Sequence, residues 1–136
     1  MLMKGHARQL MTIKVEVATP QTTLAEAARE LGRLEISGLP VVDADGQVLG
    51  ILTESDLLRA LLEEKPVETP IGTIMTAPVV TVDEFTPADT VARLLRTHRV
   101  HHLPVTRQGA VVGLITPQEV IRYFVENELP VPPEVA

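Results

Sequence analysis

Two short segments carry side chains suited to chemistry at the start of a helix. Thr53-Glu-Ser-Asp56 follows the apolar run Val48 to Leu52, which reads as a strand. It precedes Leu57, Leu58, Leu61 and Leu62, whose spacing predicts a helix. Free N–H groups and the positive dipole end at a helix N-terminus favour an anion such as phosphate. The Thr53 hydroxyl can add a hydrogen bond there, and the two oxygens of Asp56 suit the two hydroxyls of a ribose. The same residues also make a plain cap, with Thr53 at the N-cap and Asp56 in the first turn. A second segment, Thr116-Pro-Gln-Glu119, has the same setting but carries Glu in place of Asp. It is a full capping box with Pro at the first helical position. Glu is one methylene longer, so this second site is expected to be weaker, altered or empty.

These segments belong to two copies of one unit. Met11-Thr12 recurs as Met75-Thr76, and Leu39-Pro40-Val41 as Leu103-Pro104-Val105, each 64 residues on. Gly50-Ile-Leu-Thr53 recurs as Gly113-Leu-Ile-Thr116 after 63 residues. Agreement among three offsets identifies an internal repeat. Each copy reads β-α-β-β-α. In the first, Val15 and Val17 alternate as in a strand. Thr23 to Glu26 is a capping box opening a helix with Leu24, Ala27, Ala28, Leu31 and Leu34 on one face. Asp45-Gly46 turns the hairpin between Val41-Val42 and Val48 to Leu52. In the second, Val80 and Val82 give the strand and Thr86-Pro87 starts a helix striped by Val91, Leu94 and Leu95. Val105 and Val111 to Ile115 form the hairpin, turning at Gln108-Gly109, and the last helix carries Val120, Ile121 and Phe124. The expected organisation is repeat 1 over 1–64, a linker over 65–70, repeat 2 over 71–128 and a tail over 129–136, whose prolines forbid a helix.

Composition narrows the function. The chain has 136 residues, 45% of them hydrophobic but only 2% aromatic, so Val, Leu, Ile and Ala must build the core. Few aromatics, a net charge of −6 and scattered basic residues argue against a nucleic-acid partner. The absence of Cys rules out disulfides, thiolate chemistry and Cys-ligated zinc. No segment has the apolar length of a membrane span, and the first eight residues lack the apolar stretch of a signal peptide. A cytoplasmic location is the expectation. No Ser/His/Asp order, paired carboxylates or phosphate-binding G-x-x-x-x-G-K-[ST] loop is visible, so an enzyme is not expected.

The motifs Ile36-Ser-Gly-Leu-Pro-Val-Val-Asp43, Gly46 and Gly50-Ile-Leu-Thr-Glu-Ser-Asp56 resemble a CBS domain, the cystathionine-β-synthase type. Val100-His-His-Leu-Pro-Val105, Gly109 and Gly113-Leu-Ile-Thr116 resemble a second. The resemblance, to a tandem pair or Bateman module, covers roughly residues 7 to 128. It implies an α/β (α+β) fold of two β-α-β-β-α repeats packed with pseudo-twofold symmetry, leaving two clefts. Such clefts commonly take adenosine-containing ligands: AMP, ADP, ATP or S-adenosylmethionine. It further implies a module that often pairs into a homodimer and signals to a regulated protein partner, with no obligatory cofactor. In this arrangement Thr53 and Asp56 are completed by Val100, His101 and His102 and by the segment Thr76 to Thr81. Thr116 and Glu119 are completed by Ile36, Ser37 and Gly38 and by the segment Thr12 to Val17. Gly38 leaves room for a base near the backbone.

His101 and His102 have two readings: one imidazole meets a ligand phosphate, or both merely flank a strand. With His98 they also suggest a metal site, although their spacing fits no zinc pattern and no acidic residue joins them. Arg93, Arg96, Arg99 and Arg107 are solvated helix faces or, for one or two of them, phosphate contacts. The apolar faces around Leu57 to Leu62 and Val120 to Phe124 exceed the needs of a small core and predict a homodimer through these helices. Two functions compete with the ligand sensor: a ligand-free structural or dimerisation module, and a His-based metal-binding protein.

Overall fold

The computed structural model describes residues 3–34, 36–97 and 100–132. A short helix α1 (Ala7–Leu10) comes first. The first repeat then forms α2 (Leu24–Leu34), the hairpin β1 (Gly38–Val42) and β2 (Val48–Thr53), and α3 (Glu54–Leu62). A single 3-10 turn at Ile71–Thr73 leads into the second repeat. That repeat forms β3 (Val82–Asp83), α4 (Ala88–Thr97), the hairpin β4 (Leu103–Arg107) and β5 (Ala110–Ile115), and α5 (Pro117–Asn127). β1 and β2 are antiparallel; β3 runs parallel to β4, which is antiparallel to β5. The hairpins turn where glycine permits, at Gly46 (φ +80°) and at Gln108-Gly109 (φ +52° and +83°).

The helices form where capping and apolar spacing agree. The Thr23 hydroxyl accepts the Glu26 N–H at 3.2 Å, and Leu24, Ala27 and Leu31 bury one face of α2. The linker serves the same helix end. Carbonyls of Thr69 and Val67 accept the N–H groups of Leu24 and Ala25, two of the donors a helix start leaves free. In the second repeat the Gly5 carbonyl accepts from Ala88 at the start of α4.

The expected strand at Val15 to Val17 does not form. Only the next residue, Ala18, is buried, and it bridges Val41 in parallel, giving its N–H to Pro40 and accepting from Val42. Val17 stays 47% exposed, because the chain touches β1 at this one point and alternation alone supplies no partner. The second copy does form its strand, but only over two residues, Val82–Asp83, and Val80 lies outside it.

The segments that lead into the repeats cross over. Ala7, Leu10 and Met11 pack into the core of the second repeat, with Val82, Val91, Leu103, Val105 and Ile115. Ile71, Ile74 and Met75 pack into the core of the first, with Leu24, Leu31, Leu39, Val41 and Leu52. Full burial of Ile71 alone contributes about 2–3 kcal/mol. Each crossing segment ends in a two-way backbone bridge, Thr12 with Leu114 and Thr76 with Ile51. A β-carbon on Gly50 would lie 2.7 Å from the Thr76 carbonyl oxygen, and one on Gly113 would strike the Met11 side chain. The repeated Met-Thr and Gly landmarks are therefore the two halves of one contact, made twice. Among the described residues no helix is long and apolar enough to cross a membrane.

Candidate functional site

The crossing brings both helix starts to one place. Thr53, Glu54 and Ser55 of α3 and Thr116, Pro117 and Gln118 of α5 line a central cavity of about 460 Å3, with Ser37, His101 and His102 between them. A cleft opens on each side. Cleft 1, about 240 Å3, has apolar walls from Ile51, Pro78, Val79, Val80 and Val100, with Thr53, Thr76, His101 and His102 as its polar rim. Cleft 2, about 300 Å3, is lined by Thr12, Ile36, Ser37, Leu114, Thr116, Glu119 and Arg122.

Most residues expected at each cleft meet there. Thr53, Thr76, Val100, His101 and His102 converge on cleft 1. Thr12, Ile36, Ser37, Thr116 and Glu119 converge on cleft 2. Three expected residues stand elsewhere. Asp56 is buried beneath cleft 1 and does not line it, while Thr81 is exposed away from it. Gly38 offers no open space for a base, because the His102 ring already lies over it. A β-carbon there would sit 3.0 Å from His102 Cδ2. Pro78, Val79 and Val80 come from the expected segment Thr76 to Thr81, whereas sequence reasoning missed Ile51 and Arg122. Arg122 follows Thr116 by the same six residues that separate Arg59 from Thr53, so the sequence pairs the two arginines without telling which of them meets a cleft.

Both helix starts form reciprocal capping boxes, but the two carboxylates end differently. Asp56 Oδ2 accepts from the Thr53 N–H at 2.9 Å and from the Thr53 hydroxyl at 3.0 Å. The Thr76 hydroxyl lies 2.9 and 3.0 Å from the two Asp56 oxygens. Arg59 donates to Asp56 Oδ1 at 3.4 Å and to the Ile74 carbonyl at 3.3 Å. Asp56 is 4% exposed, so this pairing is what makes its burial tolerable. In the second repeat Glu119 Oε1 takes both the N–H and the hydroxyl of Thr116 at 2.9 Å. Among the described residues, Glu119 Oε2, Thr12 Oγ1 and the Arg122 guanidinium have no hydrogen-bond partner. The extra methylene of Glu thus leaves an oxygen free at a cleft wall, where Asp leaves none.

His102 and Gly38 are equivalent positions of the two repeats, as are His101 and Ser37. The large ring fills the space its glycine counterpart leaves, and His102 Nε2 is hydrogen-bonded to the Ser37 hydroxyl. Burial lowers the His102 pKa from its ordinary 6.5, and neighbouring His101 adds to this; Glu54 and Glu119 pull the other way. His98 and Arg99 lie outside the described residues. Among the described ones no three His, Asp or Glu side chains gather as a metal site. Arg93 and Arg107 face neither cleft: Arg93 pairs with Asp89, and Arg107 with buried Glu84. Arg96 lines a separate groove between α4 and α5.

Two like units, with leading segments exchanged and clefts between them, define a tandem-repeat module with ligand-sized cavities. The CBS domain family model matches twice, over residues 7–63 and 71–126, and the chain belongs to this family. Uncharacterized protein YlbB of Bacillus subtilis is 34% identical over 111 residues, covering 80% of this chain and 75% of YlbB. Among solved structures, CBSX2 in complex with AMP superposes with a TM-score of 0.80 at 26% identity, over 90% of this chain and 97% of that one. The CBS domain pair of protein MJ0100, in complex with 5′-methylthioadenosine and S-adenosylmethionine, gives a TM-score of 0.82 at 28% identity, over 93% and 100%.

Proposed function

We propose that this CBS pair is a regulatory sensor rather than an enzyme. It binds an adenosine-containing ligand (AMP, ADP, ATP or S-adenosylmethionine) between its repeats and signals its occupancy to a protein partner. The observation that carries this reading is that cleft 1 and the central cavity share Thr53, His101 and His102 in their linings. An adenine ring suits the walls formed by Ile51, Pro78, Val79, Val80 and Val100. A phosphate suits the cavity beyond, where the start of α3, Thr53 and the two histidines face it. Cleft residues from both repeats would be drawn together, which gives the ligand a way to alter the module's outer surface. The similar structures solved with AMP and with S-adenosylmethionine support the ligand class. These ligands are intracellular metabolites, so the proposed location is the cytoplasm.

The same reading includes a homodimer through α3 and α5. Leu58, Leu61 and Leu62 of α3 are 52–85% exposed, and Ile121 and Val125 of α5 exceed half exposure. Two apolar grooves beside these helices extend the face. A ligand-free structural role has one observation in its favour: the Asp56 carboxylate is already satisfied by the protein itself. Thermal melting of the intact chain with millimolar AMP, ATP or S-adenosylmethionine separates the two. A ligand that binds only the folded state at 100 times its Kd adds about 2.7 kcal/mol and raises Tm. No shift with any of them would reject the sensor. Light scattering on the same samples should return the mass of two chains, and a single-chain mass would reject the dimer.

A further inference from the structure

We propose that cleft 2 is a separate subsite for a zwitterionic group, an anion beside an ammonium, held by Arg122 and Glu119. This rests on the reading of the module as a binder of adenosine-type ligands. The comparison of equivalent residues carries it. In the first repeat Arg59 is spent on Asp56 and the Ile74 carbonyl, and Thr76 on Asp56. In the second, their counterparts Arg122 and Thr12 line the cleft without such bonds among the described residues, beside the free Oε2 of Glu119. One repeat has turned this set inward to hold the fold; the other presents it to a cavity of about 300 Å3.

The charge of that cavity selects the ligand. Among the described residues, Glu119 and Arg122 cancel, and the remaining polar lining comes from the hydroxyls of Thr12, Ser37 and Thr116. A doubly charged phosphate would gain Arg122 but meet the Glu119 carboxylate. An α-amino acid group gains both: its carboxylate takes the planar guanidinium fork and its ammonium donates to Glu119 Oε2. Among the described residues, cleft 1, walled by aliphatic side chains, has no such pair.

Calorimetry of the full chain with S-adenosylmethionine and with 5′-methylthioadenosine tests this, because the second lacks the aminocarboxypropyl tail. The wild type should bind S-adenosylmethionine roughly tenfold more tightly. Arg122→Gln and Glu119→Gln should each bring the two affinities close together; Gln at 119 still completes the capping box, so folding is kept. Arg59→Gln, in the other repeat, should leave the ratio unchanged. Equal affinities in the wild type, or a ratio that survives Arg122→Gln, would overturn the subsite. Preference for AMP over S-adenosylmethionine lost on Arg122→Gln would also overturn it, in favour of a phosphate site. If 5′-methylthioadenosine binds without a gain from the tail, only the subsite fails. If no adenosine compound binds, the sensor fails with it.

Discussion

The starts of α3 and α5 are the same structure used in two ways. Each is a threonine N-cap closed by a carboxylate three residues on. In α3 the carboxylate is short, buried and bound by Thr53, Thr76 and Arg59, so it ties the crossing segment to the first repeat. In α5 the carboxylate is longer, half-buried and, among the described residues, bound on one oxygen only. One methylene moves the group from the interior to a cleft wall. Equivalent positions in a repeat thus share a fold role while differing in what they leave free for a ligand.

Paired substitutions can break this contrast. Asp56→Ala should have the largest effect, costing about 3 kcal/mol because it removes a buried carboxylate that accepts from Thr53, Thr76 and Arg59 together. Glu119→Ala should cost about 1 kcal/mol, the usual loss for a helix cap. Urea unfolding of both variants measures the difference, and equal losses would mean that burial does not separate the two caps.

A smaller effect is expected at the axis between the repeats. Gly38→Ala places a methyl group against the His102 ring, which must move away from Ser37, at a cost of about 1–2 kcal/mol. A drop in melting temperature together with a shifted His102 ring resonance by NMR would show this. An unchanged ring signal would mean that glycine is not needed to seat it.

The smallest effect is a pH slope. Burial holds folded His102 below its ordinary 6.5, so the unfolded chain takes up this proton first as pH falls. The contribution of the neutral ring is complete above the unfolded value. It is lost as pH drops from about 6.5 towards the depressed folded value. Unfolding midpoints should therefore fall less steeply over that range in His102→Gln than in the wild type. Parallel slopes would show that the ring titrates as if exposed.

The repeat, the hairpins, the helices and most cleft residues were legible because they follow from local rules: period, capping and turn chemistry. The Gly38 and Val15–Val17 expectations failed for a common reason. Both depended on what a partner segment does, and a pattern within one copy does not report its partner. Arg122 was hidden for the same reason, since its sequence matches Arg59 in type and spacing while its surroundings do not.

The sequence by itself determined that two CBS-type units exist, that each ends in a threonine-capped helix, and that Asp and Glu distinguish them. Only the tertiary structure decided that the leading segments exchange between the units and that Asp56 is consumed internally. It also decided that His102 fills the space above Gly38, and that Glu119 and Arg122, among the described residues, keep atoms free at a cleft. These outcomes depend on side chains about 20 or more residues apart meeting at short range, as Thr76 meets Asp56 and His102 meets Ser37. Hydrogen bonding and packing act over a few ångströms in space, whatever the distance along the chain.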